Sequence, residues 1–245
     1  MKTLLLLFII IVPVLMGGCK SKTVQTVPTE VYTYNTTGKG TEIIIEFAKG
    51  KAFNHPLMAV WVEDEMGNFV QTLYVAESIG KGVFKHGDKS SGKWMPGEIR
   101  RPAALPFWAH RRGIKASDGL YIPDKVNPVP DAYTGPTPDG NFVLNTNLDK
   151  INLNKFTVYF EINQTWDWNE YWTNNKYPDD EDYKSSCQPS LIYRTDINTV
   201  DQQKEFRMKV VGHGHYSGKN GELFTDLSTM TTALQIAEEI KVRVK

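Results

Sequence analysis

Short runs of β-branched and aromatic residues, separated by turn-forming residues, set the pattern of this chain. Thr41-Glu42-Ile43-Ile44-Ile45-Glu46-Phe47-Ala48 is β-branched with charges toward its ends, which predicts a strand buried on one or both faces. Leu57-Met58-Ala59-Val60-Trp61-Val62-Glu63 predicts a second strand and residues 69–75 a third. Glu65-Met66-Gly67-Asn68 lies between them and turns the pair into a hairpin. Further strands are expected at 141–145, 155–162, 190–196, 206–211 and 240–244. Residues 155–162 alternate over most of their length, and Lys241-Val242-Arg243-Val244-Lys245 alternates strictly, as a half-exposed strand does. A helical period is sustained nowhere. The pattern predicts an all-β chain, specifically an Ig-like β-sandwich with one or two short helices.

The helices are expected at two places. Leu105, Trp108 and Ala109 fall on one side of a helix that begins near Pro102, with Pro106 kinking its interior and Gly113 ending it. Residues 225–238 read as one or two helical turns capped by Asp226, or as a strand. Two long insertions, near 76–140 and 163–189, are predicted to pack on the sandwich within a single domain spanning 41–245.

The N-terminus addresses location. Lys2 precedes an apolar run over 4–16 that is too short to span a bilayer and fits the core of a signal peptide. The run ends Leu15-Met16-Gly17-Gly18-Cys19, which resembles a bacterial lipobox. That resemblance implies removal of residues 1–18, acylation of Cys19 and a lipid anchor in the membrane. The alternative is a plain secretory signal with an incidental Cys19. The polar, Thr-rich tract that follows predicts a flexible tether over 19–40. The location implied is the bacterial cell envelope, on a periplasmic or outer-membrane face.

Charge and cysteine narrow the field. Basic and acidic residues number 28 each, and only Lys2 lies within 1–18, so no polybasic surface for nucleic acid arises. With Cys19 acylated, Cys187 is the sole remaining cysteine and no intramolecular disulfide forms. It reads as a buried small residue or as a reactive thiol. No Ser/His/Asp signature, nucleotide loop or zinc-protease helix is present, so no enzyme class is assigned.

Several stretches carry candidate chemistry. Trp166-Asp167-Trp168-Asn169-Glu170-Tyr171-Trp172 places Trp166, Trp168 and Trp172 beside acids, either as a platform for sugars or flat rings or as anchors of a long loop. The acid run 179–182 is a weaker calcium candidate, since it lacks the EF-hand spacing. In Gly212-His213-Gly214-His215, the two histidines share a strand face, as two ligands of a transition metal would. A third ligand would come from His86, His110, Asp226 or Cys187. Arg100, Arg101, Arg111 and Arg112 can cradle a phosphate or simply be solvated.

Pro130-Asp131-Ala132-Tyr133-Thr134-Gly135-Pro136-Thr137-Pro138 reads as a rigid loop leading into a strand. Together with His55-Pro56-Leu57-Met58-Ala59-Val60-Trp61, Leu105-Pro106-Phe107-Trp108 and Gln188-Pro189-Ser190-Leu191-Ile192-Tyr193, it resembles an uncharacterised family of predicted periplasmic proteins, a domain of unknown function. The resemblance covers residues 41 to the C-terminus. It implies proximity to PepSY membrane proteins and flavin transferases, and so to extracytoplasmic electron transfer or metal reduction. Asp131, Thr134, Gly135 and Thr137 are also similar to the flavin-transferase motif, which implies FMN on the Thr137 hydroxyl; Pro136 stands where that motif has alanine.

Three readings follow. The first is a non-enzymatic accessory or binding lipoprotein with an envelope protein partner. The second is an FMN- or metal-carrying electron-transfer protein. The third is a carbohydrate-binding surface module.

Overall fold

The computed structural model describes residues 29–88, 90–93, 95–201 and 204–245. The expected signal sequence, the lipobox-like stretch with Cys19 and the first part of the expected tether lie outside the described residues.

Strands dominate, as the alternation predicts. They are β1 (Thr29–Thr33), β2 (Glu42–Lys49), β3 (Leu57–Asp64), β4 (Phe69–Ala76), β5 (Val83–Asp88), β6 (Met95–Glu98), β7 (Thr134–Gly135), β8 (Asn141–Asn147), β9 (Lys155–Asn163), β10 (Leu191–Asn198), β11 (Glu205–Arg207), β12 (Lys209–His213) and β13 (Ala237–Val244). Helices α1 (Glu77–Lys81), α2 (Pro106–Arg112) and α3 (Glu181–Lys184) are short. One sheet has the order β1-β8-β2-β13-β11 and a second has β12-β10-β9-β3-β4-β7; β5 and β6 form a separate ribbon.

The two large sheets enclose one core. Ile43, Ile45 and Phe47 of β2 and Phe142 and Leu144 of β8 face Met58, Val60 and Val62 of β3 and Val158, Phe160 and Ile162 of β9. The alternate residues of β3, Leu57, Ala59 and Trp61, point the other way into a second core with Ile79, Leu105, Phe107, Trp108, Ile122 and Val129. The first insertion therefore forms a third layer over the second sheet. That explains why β3 is an unbroken apolar run: both of its faces are covered.

Helix α2 shows how the layer attaches. Pro106 occupies its first turn, where its missing N–H costs nothing, so the expected interior kink is absent and the helix starts four residues after Pro102. Gly113 ends it in the left-handed region, φ 73°. Arg111 reaches back to the hairpin and grips Glu63 of β3, with Nε to Oε1 at 2.7 Å. The same carboxylate accepts the Trp61 indole N–H at 3.0 Å.

Three expectations are corrected. Residues 29–33 are not tether: β1 pairs in parallel with β8. The Tyr32 ring meets Phe142 and the Tyr34 ring meets Tyr74. The single strand expected over 206–211 is two strands in different sheets, divided at buried Met208. The helical turns expected over 225–238 reduce to one 3-10 turn at Ala233–Gln235, after which β13 begins. The strand expected at 240–244 forms as part of β13, which runs antiparallel to β2 with Val244 opposite Ile43.

Candidate functional site: the aromatic loop of the second insertion

The second insertion turns one set of aromatics inward and another outward. Asn169 organises it. Its Oδ1 accepts the amides of Tyr171 at 2.9 Å and Trp172 at 2.7 Å, while its Nδ2 donates to the Thr229 carbonyl at 2.9 Å. This turn drives Trp172 into the protein, where its indole N–H bonds Thr229 Oγ1 at 3.1 Å and its ring packs against Tyr183 and Tyr216. Trp172 is therefore a core residue and not part of an exposed platform, a correction to the sequence expectation.

Trp166 and Trp168 face the other way. They are 63% and 59% exposed, and Tyr171 is 51% exposed. Trp166 adopts φ +57°, a left-handed conformation rarely held by a bulky residue, and its amide bonds the Ser185 carbonyl at 3.2 Å. Between the two indoles, Asp167 points inward and accepts the Thr232 hydroxyl. Its backbone is held on both sides, by the Ser186 carbonyl and the Gln188 amide. Lys176 lies 3.2 Å from the Tyr171 ring centroid. The outward indoles thus stand on a loop whose inner side is fixed at every step.

The acid run is absorbed by structure. Asp180 accepts the Tyr183 amide at 3.0 Å to cap α3 and pairs with Lys219 at 3.1 Å. Among the described residues, no group of three or more His, Cys, Asp or Glu is placed to hold a metal. His213 and His215 do lie together, but what they share is the ring of Phe224, at 5.4 and 6.0 Å, and not a third ligand. His213 Nδ1 donates to the Gly214 carbonyl and His215 Nδ1 accepts the Ser217 amide. Burial and nearby Lys219 lower the His215 pKa.

The glycines around these histidines serve close packing. A Cβ on Gly214 would lie 2.7 Å from Ser190 Oγ and 2.8 Å from Pro106, and one on Gly218 only 2.1 Å from the Pro102 carbonyl. At 214 and 218 the chain passes so close to Ser190, Pro106 and Pro102 that only glycine fits.

The flavin-like motif is folded into a sheet edge. Thr134 and Gly135 are buried in β7, paired with Val75 and Ala76 of β4, and a Cβ on Gly135 would collide with the Tyr34 hydroxyl. Tyr74 donates to the Pro136 carbonyl at 2.7 Å. Asp131 is turned to solvent and paired with Lys81. Thr137 is partly accessible. A transferase that reads Asp131, Thr134 and Gly135 together would have to peel β7 from β4, so the motif as folded does not fit FMN attachment.

The four arginines do not converge. Arg100 pairs with Asp118, Arg101 stacks on Phe84 at 4.3 Å, Arg111 holds Glu63, and Arg112 lies over Trp108 at 5.3 Å. Cys187 is a buried free thiol whose pKa burial raises.

The sequence reading missed a fully buried carboxylate. Glu161 of β9 accepts the amides of Phe107 at 3.1 Å and Trp108 at 2.7 Å and the Ser190 hydroxyl at 2.5 Å. Burial raises its pKa to about 7, against the pull of those hydrogen bonds. A lone acid within the apolar alternation of 155–162 was the available signal.

The chain matches no protein-family model, no curated protein and no solved structure.

Proposed function

We propose that this protein is a membrane-anchored, extracytoplasmic lipoprotein that works as a non-enzymatic binding component of the cell envelope, with Trp166 and Trp168 as its working face. The observation that carries the reading is the pair of solvent-facing indoles on a loop pinned from beneath. Large exposed aromatics are costly to display unless a partner covers them, and a fixed loop spares the entropy of ordering them on binding. Indole faces beside the exposed carboxylate of Glu170 suit the apolar face and hydroxyl rim of a sugar ring.

The Ig-like assignment of the two-sheet body belongs to this proposal and draws on two mainly antiparallel sheets around one core. So does the anchor at Cys19, which rests on the lipobox resemblance. A role beside an envelope redox or metal-handling partner rests on the family resemblance. Neither the edge-bound motif at Thr137 nor the Phe224-packed histidines supports a resident FMN or metal as well as the exposed indoles support binding.

The test is tryptophan fluorescence and calorimetry with soluble peptidoglycan fragments and with chito-oligosaccharides. Saturable binding that Trp166→Ala and Trp168→Ala abolish, with unchanged thermal midpoints, is the expected result. No binding of either probe by the wild-type protein, or equal binding by both variants, refutes the sugar-ring reading.

A further inference from the structure

Beneath the exposed indoles, three side chains meet in an arrangement that ligand binding does not require. The Thr232 hydroxyl donates to Asp167 Oδ1. The same oxygen accepts an N–H of the Gln188 carboxamide, Nε2 to Oγ1, at 2.5 Å. The carboxamide oxygen of Gln188 accepts the Thr231 backbone N–H at 2.8 Å, and Thr231 Oγ1 lies 3.4 Å from it. Gln188 is 1% exposed and Asp167 9% exposed. Among the described residues, Asp167 Oδ2 is buried with no hydrogen-bond partner.

These are the parts of an acyl transfer. Thr232 supplies a hydroxyl whose proton already points at a carboxylate. Gln188 supplies an acyl carbon one bond from the nitrogen that Oγ1 touches. The Thr231 N–H polarises the carbonyl and stands where negative charge would develop. The open oxygen of Asp167 leaves the carboxyl free to hold a proton, and burial, which raises its pKa, strengthens it as a base.

We propose that Thr232 and Gln188 join in an intramolecular ester, formed by the folded protein itself with Asp167 as proton carrier. The Thr232 Oγ–H proton passes to Asp167 as Oγ bonds to Gln188 Cδ, and Oε1 takes the negative charge beside the Thr231 N–H. The Cδ–Nε2 bond then breaks, the proton on Asp167 goes to the departing nitrogen, and ammonia leaves. Amide and alcohol become ester and ammonia, with no oxidant and no other reactant. Escape of ammonia to solvent drives the exchange, and the burial of Gln188 shields the ester carbonyl from water. The bond ties the lead-in to β10, in one sheet, to the turn before β13, in the other, 44 positions away. It also fastens the loop that displays Trp166 and Trp168.

The experiment is the intact mass of the full chain purified folded at neutral pH, followed by peptide mapping. The expected product is lighter by one ammonia than its sequence after N-terminal processing. It yields one branched peptide containing positions 188 and 232, and hydroxylamine splits that peptide. Asp167→Asn and Thr232→Val, each checked for folding by circular dichroism, are expected to keep the ammonia and give two linear peptides. Thr232→Ser is expected to restore the branched product. Linear wild-type peptides with unmodified Gln188 and Thr232 overturn the proposal. A free Thr232 beside a glutamate at 188, the product of simple deamidation, overturns it equally.

Discussion

Glu161 Oε2 accepts the amide of Trp108 at 2.7 Å, so a side chain on a central strand caps a helix 53 positions earlier. Helix α2 has no side-chain cap of its own. Its first free amides, which every helix must satisfy, are met by the sheet on which it sits. Replacing Glu161 with Ala leaves two buried amides without acceptors. The expected loss is about 2–4 kcal/mol, measured by urea unfolding.

The same carboxyl makes stability depend on pH. Burial lifts its pKa from 4.5 to about 7 in the folded protein. Between those values the folded chain keeps a proton that the unfolded chain has released. The Glu161 contribution to stability therefore falls as pH rises from 4.5 to about 7 and is level above. Glu161→Gln is expected to flatten that slope in the urea midpoint, while Ser190→Ala keeps it.

Arg111 and Glu63 form the second fixed point of the first insertion. Glu63 is 2% exposed and holds Arg111 through both oxygens, while Trp61 also depends on it. Removing one partner leaves a buried charge. Arg111→Ala is expected to cost about 3 kcal/mol. Arg111→Lys restores little, because a single ammonium cannot reproduce the fork. Differential scanning calorimetry of the two variants checks this.

Gly218 sits at φ +75° with the Pro102 carbonyl where a Cβ would be. Gly218→Ala is expected to destabilise by about 2 kcal/mol or more. Proteolysis should then open the first insertion before the sheets.

The three tryptophans of the second insertion should separate cleanly. Trp172→Ala empties a core position and is expected to cost about 3–5 kcal/mol. Trp166→Ala and Trp168→Ala are expected to change stability by about 0.5 kcal/mol or less. Thermal unfolding of the set distinguishes the anchor from the displayed rings.

Most of the sheet was legible because apolar residues at 43, 45 and 47, or at 158, 160 and 162, alternate as a strand demands. What escaped was whatever depends on distant partners. Thr29, Val31 and Thr33 look like linker until Tyr32 and Tyr34 find Phe142 and Tyr74. The alternating stretch around Met208 reads as one strand, since nothing local says that its halves join different sheets. Trp166, Trp168 and Trp172 belong to one motif in sequence. Only Thr229, 57 positions on from Trp172, decides which of them is buried. The flavin-like motif matched at Asp131, Thr134, Gly135 and Thr137 but not at Pro136, and its concealment came from Val75 and Ala76 pairing with Thr134 and Gly135.

The pairing of β2 with β13 has a consequence for how the molecule is made. Lys245 bonds Glu42 across 203 positions, and the central strand of the first sheet lacks one neighbour until that late segment arrives. Closing so long a span carries an entropic penalty that only the finished sheet offsets, which makes assembly slow and cooperative. Until then the apolar Ile43-Ile44-Ile45 stretch has an open flank. A nascent chain of this design remains incompletely closed, and holding it apart from its fellows falls to whatever escorts it during synthesis.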